Sequence, residues 1–194
     1  MQKSIQDKRV VVGFDMDGVI IDHAPNKLML AESYAVRLLP EETHSERLPQ
    51  KFAQKEYLAF QDELYGSSDF ALSAPLMEGA EDVLTKLKEC GVPFVLISRR
   101  RNPENAIALL KRRGLWGPLF NEHNAFFVLE PAEKNVVGVR EGVTHFFDDE
   151  RKVLRVMPDI TSRFLFDTFD QFEDENTFVR VSHWGRVSDT LGLG

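Results

Sequence analysis

The sequence predicts an α/β protein: a Rossmann-like parallel sheet flanked by helices, with a small α-helical cap inserted after the first strand. Three observations carry that reading. Short apolar runs rich in β-branched and aromatic residues recur along the chain, as strands buried on both faces require. Helical stretches of about ten residues lie between them, which gives βαβ units with right-handed crossovers. One long segment after the first strand breaks this alternation and carries only helical patterning.

The first run is VVVGF, Val10–Phe14. The polar MQKSIQDKR before it leads straight into the strand, so no signal peptide is expected. From Asp22 to Pro75 there is no strand pattern; helices are expected near Lys27–Leu39 and Gln50–Tyr65, on either side of PEETHSERLP. Leu28, Leu38, Phe52 and Phe60 read as the core of that insert. Ala80, Val83, Leu84 and Leu87 follow the i, i+3, i+4, i+7 rule, and Gly91 closes their helix. Cys90, at its end, reads as a small packing residue. PFVLI at Pro93–Ile97 is the second strand. Asn102 and Pro103 then cap and open a helix with Ala106, Ile107 and Leu110 as its stripe and Gly114 at its close. A strand at Ala125–Leu129, a helix from near Ala132 to Gly142 and a strand at Val143–Phe147 follow. A helix from near Glu150 stops before Pro158, and RFLF at Arg163–Phe166 is the next strand. The remainder is acidic and aromatic (DTFDQFEDENTF), then weakly strand-like (FVRVSHW). The chain thus divides into a core (1–21 and 76–166), a cap insert (22–75) and a C-terminal extension (167–194) packed on the core.

Composition narrows the classes of function. With 194 residues, 43% hydrophobic and 28% charged, the chain can bury a core and is not globally disordered. A net charge of −7 argues against a basic, non-specific DNA binder. That acidity lies in the insert and extension, however, so a nucleotide or an oligonucleotide end stays open as a partner. The single cysteine excludes a disulfide framework and a cysteine zinc cluster, and it fits a cytoplasmic protein. No run approaches the roughly 18–20 apolar residues that span a bilayer, so no membrane partner is expected.

In a parallel sheet the chemistry lies beyond the carboxyl ends of the strands. Strand one ends in Asp15-Met16-Asp17-Gly18, and strand two in Ser98, followed by Arg99, Arg100 and Arg101. Lys134 opens the helix before strand four, which ends in Asp148-Asp149. Converging carboxylates repel unless a cation lies among them, and oxygen donors without His or Cys point to magnesium. A carboxylate can itself attack phosphorus. A phosphoryl group in flight calls for a metal, a lysine and a hydrogen-bond donor. The constellation therefore favours phosphoryl transfer. His44, His123, His145 and His183 share no metal-ligand spacing and read as structural. His23 either touches substrate or makes a hydrogen bond at the cap hinge. The arginines are either a solvated charge run or an attractor for an anionic substrate, with Arg99 the first candidate.

The stretch from Val10 to about Met157 resembles the haloacid dehalogenase superfamily of phosphohydrolases. Four motifs in order carry the resemblance: VVVGFDMDGVI, PFVLISRR, Lys134 and HFFDDE; MEGAEDVLTKLKECGVPFVLIS is also similar to the family's unit leading into the second motif. The resemblance implies that Asp15 is the nucleophile and that Asp17 protonates the leaving group and then activates water. The dehalogenase branch lacks that second carboxylate, so a phosphatase is implied. It implies further that Ser98 holds a phosphoryl oxygen and that Lys134 neutralises nucleophile and phosphate. Mg2+ would be bound by Asp15, the backbone carbonyl of Asp17 and Asp148, with Asp149 as a ligand or just behind one. Gly18 would let the chain turn away past the site. The sequence departs from the pattern in two places. The fourth motif has no glycine before its acid, and only 14 positions separate Lys134 from Asp148. Its Asp-Asp ending is similar to that of nucleotidases and polynucleotide end phosphatases. The implied activity is Mg2+-dependent hydrolysis of a phosphate monoester through an aspartyl-phosphate. The substrate would be a sugar phosphate, a nucleotide or an oligonucleotide end. A phosphotransferase or phosphomutase, or a non-catalytic domain that binds a phosphorylated ligand, are the alternatives.

Overall fold

The computed structural model describes residues 10–173 and 175–193. The polar N-terminal stretch, and with it the expectation about a signal peptide, lies outside them.

The apolar runs form the sheet. The strands are β1 (Val12–Phe14), β2 (Phe94–Arg99), β3 (Ala125–Val128), β4 (His145–Asp148), β5 (Ser162–Phe166) and β6 (Val179–Val181). They pair in parallel in the order β3-β2-β1-β4-β5-β6. Both faces are covered. Phe94 and Leu96 of β2 point into one cluster with Leu84, Leu87 and Ala106, while Val95 and Ile97 point into the other with Phe146 and Leu154. These are the alternating, doubly buried positions of a parallel sheet. Gly13 is needed in β1, because a side-chain carbon there would come within 2.4 Å of the Phe146 ring.

The helices of the core are α3 (Ala80–Glu89), α4 (Pro103–Arg112), α5 (Pro131–Arg140), α6 (Arg151–Arg155) and α7 (Trp184–Thr190). The cap holds α1 (Ala24–Ser33) and α2 (Gln54–Leu64), joined through two short 3-10 turns. Both cap helices are shorter than the sequence pattern predicts. Pro25 fixes the start of α1 early, and Ala35, in the left-handed region (φ 54°), turns the chain out of the helix. Leu30, Ala31, Leu48, Phe60 and Leu64 make a separate small core, against which Leu38 and Phe52 pack. The insert leaves and re-enters side by side: Asp22 N–H donates to Pro75 O and Met77 N–H to Ile20 O, at 2.9 and 2.8 Å.

One expectation needs correction, at Cys90. The C-terminal extension adds a strand to the sheet. The strand-like FVRV supplies β6, and Trp184 is buried between Phe14 and Phe166, donating its indole N–H to Val19 O at 2.8 Å. Cys90 does not pack; it is exposed at the C-cap of α3, where the chain turns away through Gly91 (φ 67°). Among the described residues no helix is long and apolar enough to cross a membrane.

The strand order reverses direction at β1, with β2 on one side and β4 on the other. Ligands of open parallel sheets lie at such a switch point, beyond the carboxyl ends of the strands.

Candidate active site

Register decides what meets at the switch point. Phe14 stands opposite Leu96 of β2 and Phe147 of β4, so the residue after β1, Asp15, comes level with Asp148. The Asp15 N–H donates to Phe147 O at 2.9 Å. Lys134 arrives from the first turn of α5 and is fully buried. Its Nζ donates to Asp148 Oδ2 at 2.7 Å and lies 2.8 Å from Asp15 Oδ1. The Glu150 N–H donates to Asp148 Oδ1 at 2.9 Å.

Asp15, Asp148 and Asp149 are all buried and offer oxygens within 4.8 Å of one another. One ammonium cannot neutralise three carboxylates at that spacing. Burial raises Asp15, with Lys134 opposing and Asp17 adding to the shift. Burial likewise pushes Asp148 up to about 7 against the pull of Lys134, and burial with Glu150 and Asp148 lifts Asp149 well above the carboxylate range. Lys134 shows the other side of this balance: burial opposes its charge, but Asp148 and Asp15 overcome it and raise its pKa. The cluster is short of positive charge, and all its donors are hard oxygens. It fits a hard divalent cation. Gly18 makes the crowding feasible: it has φ 78°, and a side-chain carbon there would fall 2.6 Å from Asp149 Oδ2.

Asp17 is held differently. His23 Nε2 lies 2.7 Å from its Oδ1, and Arg100 Nη2 lies 2.5 Å from the same oxygen. Burial works to raise the Asp17 pKa, but the Arg100 charge and the His23 hydrogen bond outweigh it and hold the carboxyl well below its usual range. Ser98 lies within β2 with its Oγ buried and without a hydrogen-bond partner among the described residues. Asp15, Asp17, Ser98, Arg99, Arg100 and Asp149 line a cavity of about 610 Å³, with Lys134 and Asp148 bound beneath Asp15.

The structure thus brings every strand-end candidate to one rim. It redistributes the arginines. Arg99, the first candidate from sequence, pairs with Glu150 at 3.0 Å, and it is Arg100 that meets Asp17. His23 makes a hydrogen bond at the hinge. His145 hydrogen-bonds Thr144 and stacks on Phe164, His123 is exposed, and His183 precedes α7. His44 has an unforeseen position: its Nδ1 accepts from Glu46 N–H, and its Nε2 donates to Asp149 O at 2.9 Å, tying the cap to the acidic loop.

Three other residues at the cavity carried no functional signal in the sequence. Lys27 of α1 is buried and donates to Thr43 O at 2.9 Å. Burial lowers its pKa, while Asp149 and Asp17 work against that shift. Tyr65 follows α2 and faces Arg100. Glu150 extends the Asp-Asp pair by one acid, and that adjacency was the only available clue.

The fold has counterparts among solved structures. A hydrolase of Deinococcus radiodurans R1, solved with phosphate and sodium bound, aligns with a TM-score of 0.62 at 17% identity, covering 97% of this chain and 98% of its own. The fold is that of the haloacid dehalogenase superfamily. A protein assigned as a beta-phosphoglucomutase from Thermotoga maritima aligns with a TM-score of 0.62 at 18% identity over 94% of this chain and 98% of its own. A haloacid dehalogenase hydrolase of Bacillus subtilis with magnesium bound gives 0.60 at 16% over 96% and 100%. No protein-family model and no curated protein matches the sequence. The neighbours share the haloacid dehalogenase fold across nearly the whole chain.

Proposed function

We propose that this chain is a Mg2+-dependent phosphatase that hydrolyses a small phosphate monoester through an aspartyl-phosphate on Asp15. One observation carries the reading: Asp15 lines the cavity with the Lys134 ammonium 2.8 Å from its Oδ1, while Asp17 lines the same cavity two residues on. A binding module needs no such nucleophile beside an acid-base carboxylate.

In the first step an Asp15 oxygen bonds to phosphorus as the bond to the leaving oxygen breaks. That oxygen takes a proton from Asp17. Arg100 and His23 keep Asp17 ionised in this arrangement, so the proton that it passes on is one that it takes from the monoanionic ester. In the second step a water oxygen bonds to phosphorus, Asp17 takes the water's proton, and the bond to Asp15 breaks. Lys134 and the unpartnered Ser98 hydroxyl hold the phosphoryl oxygens, where negative charge spreads in flight. Asp15, the Asp17 carbonyl, Asp148 and Asp149 would hold Mg2+, which supplies positive charge toward those oxygens when bound.

The cavity of about 610 Å³ is lined from the cap by Tyr57, Gln61 and Tyr65 and at its mouth by Arg101 and Asn102. That volume suits a small metabolite such as a sugar phosphate or a nucleotide. The single cysteine supports a cytoplasmic setting.

The test is phosphate release from a panel of metabolite phosphates and an aryl phosphate, with Mg2+ and with chelator. Release is expected only with the metal, and Asp15→Asn is expected to abolish it. Interconversion of phosphate isomers without free phosphate would assign a phosphotransferase instead.

A further inference from the structure

The three consecutive arginines after Ser98 have three different surroundings. Arg99 pairs with Glu150, Arg101 is exposed at the cavity mouth, and Arg100 is buried against Asp17. Arg100 has no other ion pair among the described residues, and its Nε is buried without a hydrogen-bond partner. What holds it besides Asp17 is the ring of Tyr65, which lies 4.4 Å from the guanidinium carbon. The same ring meets His23 edge-on, at 5.1 Å between centroids and 83° between planes. One cap side chain therefore supports both groups that bind Asp17.

Both groups bind the same oxygen, Oδ1. Oδ2 makes no hydrogen bond among the described residues, and Asp17 lines the cavity. The terminal torsion of an aspartate is broad and nearly two-fold, so a single donor leaves it free to rock. Two donors from different elements fix the carboxylate plane. One stands at the start of the cap, the other at the end of β2.

We propose that Arg100 is a positioning residue for Asp17. With His23 it pins Oδ1 so that Oδ2 is the oxygen presented to the substrate, and Tyr65 holds Arg100 in place, so the seating of the cap sets the aim of the acid-base group. The inference rests on the phosphatase reading above and adds two residues to it. Arginine suits the task because its planar fork both donates to the carboxylate and stacks on the ring; a lysine does only the first.

The test separates proton transfer from all other losses through the leaving group. Phenyl phosphate needs its departing oxygen protonated, whereas dinitrophenyl phosphate does not. The readout is kcat/KM, which reports steps only as far as phosphoryl transfer to Asp15. Arg100→Ala is expected to lower kcat/KM for phenyl phosphate by about 100-fold, the lower end of what a positioned acid contributes, and to leave dinitrophenyl phosphate within a few-fold. Arg100→Lys recovers part of the loss. Tyr65→Phe, which keeps the ring, retains the ratio of kcat/KM between the two esters; Tyr65→Leu shifts that ratio in the same direction as Arg100→Ala. Adding Arg100→Ala to Asp17→Asn costs nothing further on phenyl phosphate, because groups acting as one unit are non-additive. Equal losses on both esters, or a Tyr65→Leu protein as active as Tyr65→Phe, would overturn the inference while leaving the phosphatase intact. Failure of the unaltered protein to release phosphate from either ester overturns both.

Discussion

Two cavities of about 610 Å³ each share the cap loop that runs from Ser45 to Lys51, and they treat charge in opposite ways. Three of the acids that line the cavity beside Phe172 have cations at hand. Glu46 takes three hydrogen bonds from Arg151, at 2.6 to 3.0 Å, Glu42 pairs with Lys51, and Glu175 pairs with Arg155 at 2.5 Å. The cavity at the strand ends has buried carboxylates crowded around one ammonium and a buried hydroxyl with no partner. Similar volume and similar residue types give a seam in one place and the candidate site in the other. What separates them is whether each charge is compensated within the protein. Uncompensated buried charge lowers stability and persists where a ligand supplies the missing partner.

The contrast breaks most visibly at Lys134. Lys134→Met leaves Asp15 and Asp148 buried without their cation, which costs about 3–5 kcal/mol. Thermal unfolding should fall by roughly 6–20 °C for a chain of this size, and phosphate release should be lost with it.

Asp149→Asn sharpens the same point with the opposite sign. It removes one charge from a cluster that has too many, so the metal-free protein should melt about 2–4 °C higher, as a gain near 1 kcal/mol implies. The extra stability that added Mg2+ confers should shrink in the same variant. A metal-free melting temperature that drops instead would show that Asp149 is already compensated.

The seam supplies the smallest effect. Burial tends to raise the Glu46 pKa, but Arg151 outweighs it and brings it below the usual value of 4.5. A depressed carboxyl stabilises the fold above its unfolded pKa and loses that contribution as pH falls through its folded one. Glu46→Gln should therefore lower stability by less than about 1 kcal/mol near neutral pH, since the pair is partly solvated. The difference from the unaltered protein should shrink as pH falls from the usual carboxylate value of 4.5 through the lower pKa of the folded state, while phosphate release near neutral pH stays at its original rate. Chemical denaturation at two pH values measures it.

The same contrast explains what could be seen in the sequence. Asp15, Asp17, Ser98 and the Asp148-Asp149 pair each follow an apolar strand directly, so the sheet alone carries them to one rim, and the continuous apolar runs are enough to find them. Lys134 was placed by its helix in the same way. The partners that fix the cap were not legible. The Arg100–Tyr65, His44–Asp149 and Glu46–Arg151 contacts join residues 35 to 105 positions apart that sit on turns, loops and a helix end without periodicity. Which of three adjacent arginines turns inward depends on where Tyr65 lies, and only tertiary packing sets that. The last strand was obscured for a related reason: β6 is three residues long, and the Trp184 that anchors the helix after it finds its partners at Phe14 and Val19, across nearly the whole chain.

The central claim is that Asp15 carries the phosphoryl group. Its most direct test is mass spectrometry of the Asp17→Asn protein, acid-quenched during turnover of dinitrophenyl phosphate with Mg2+. Removing the base of the second step should let the intermediate accumulate, with one phosphoryl group on the peptide that contains Asp15 and none in Asp15→Asn. A phosphoryl group found on another residue, or steady phosphate release by Asp15→Asn, would contradict the account.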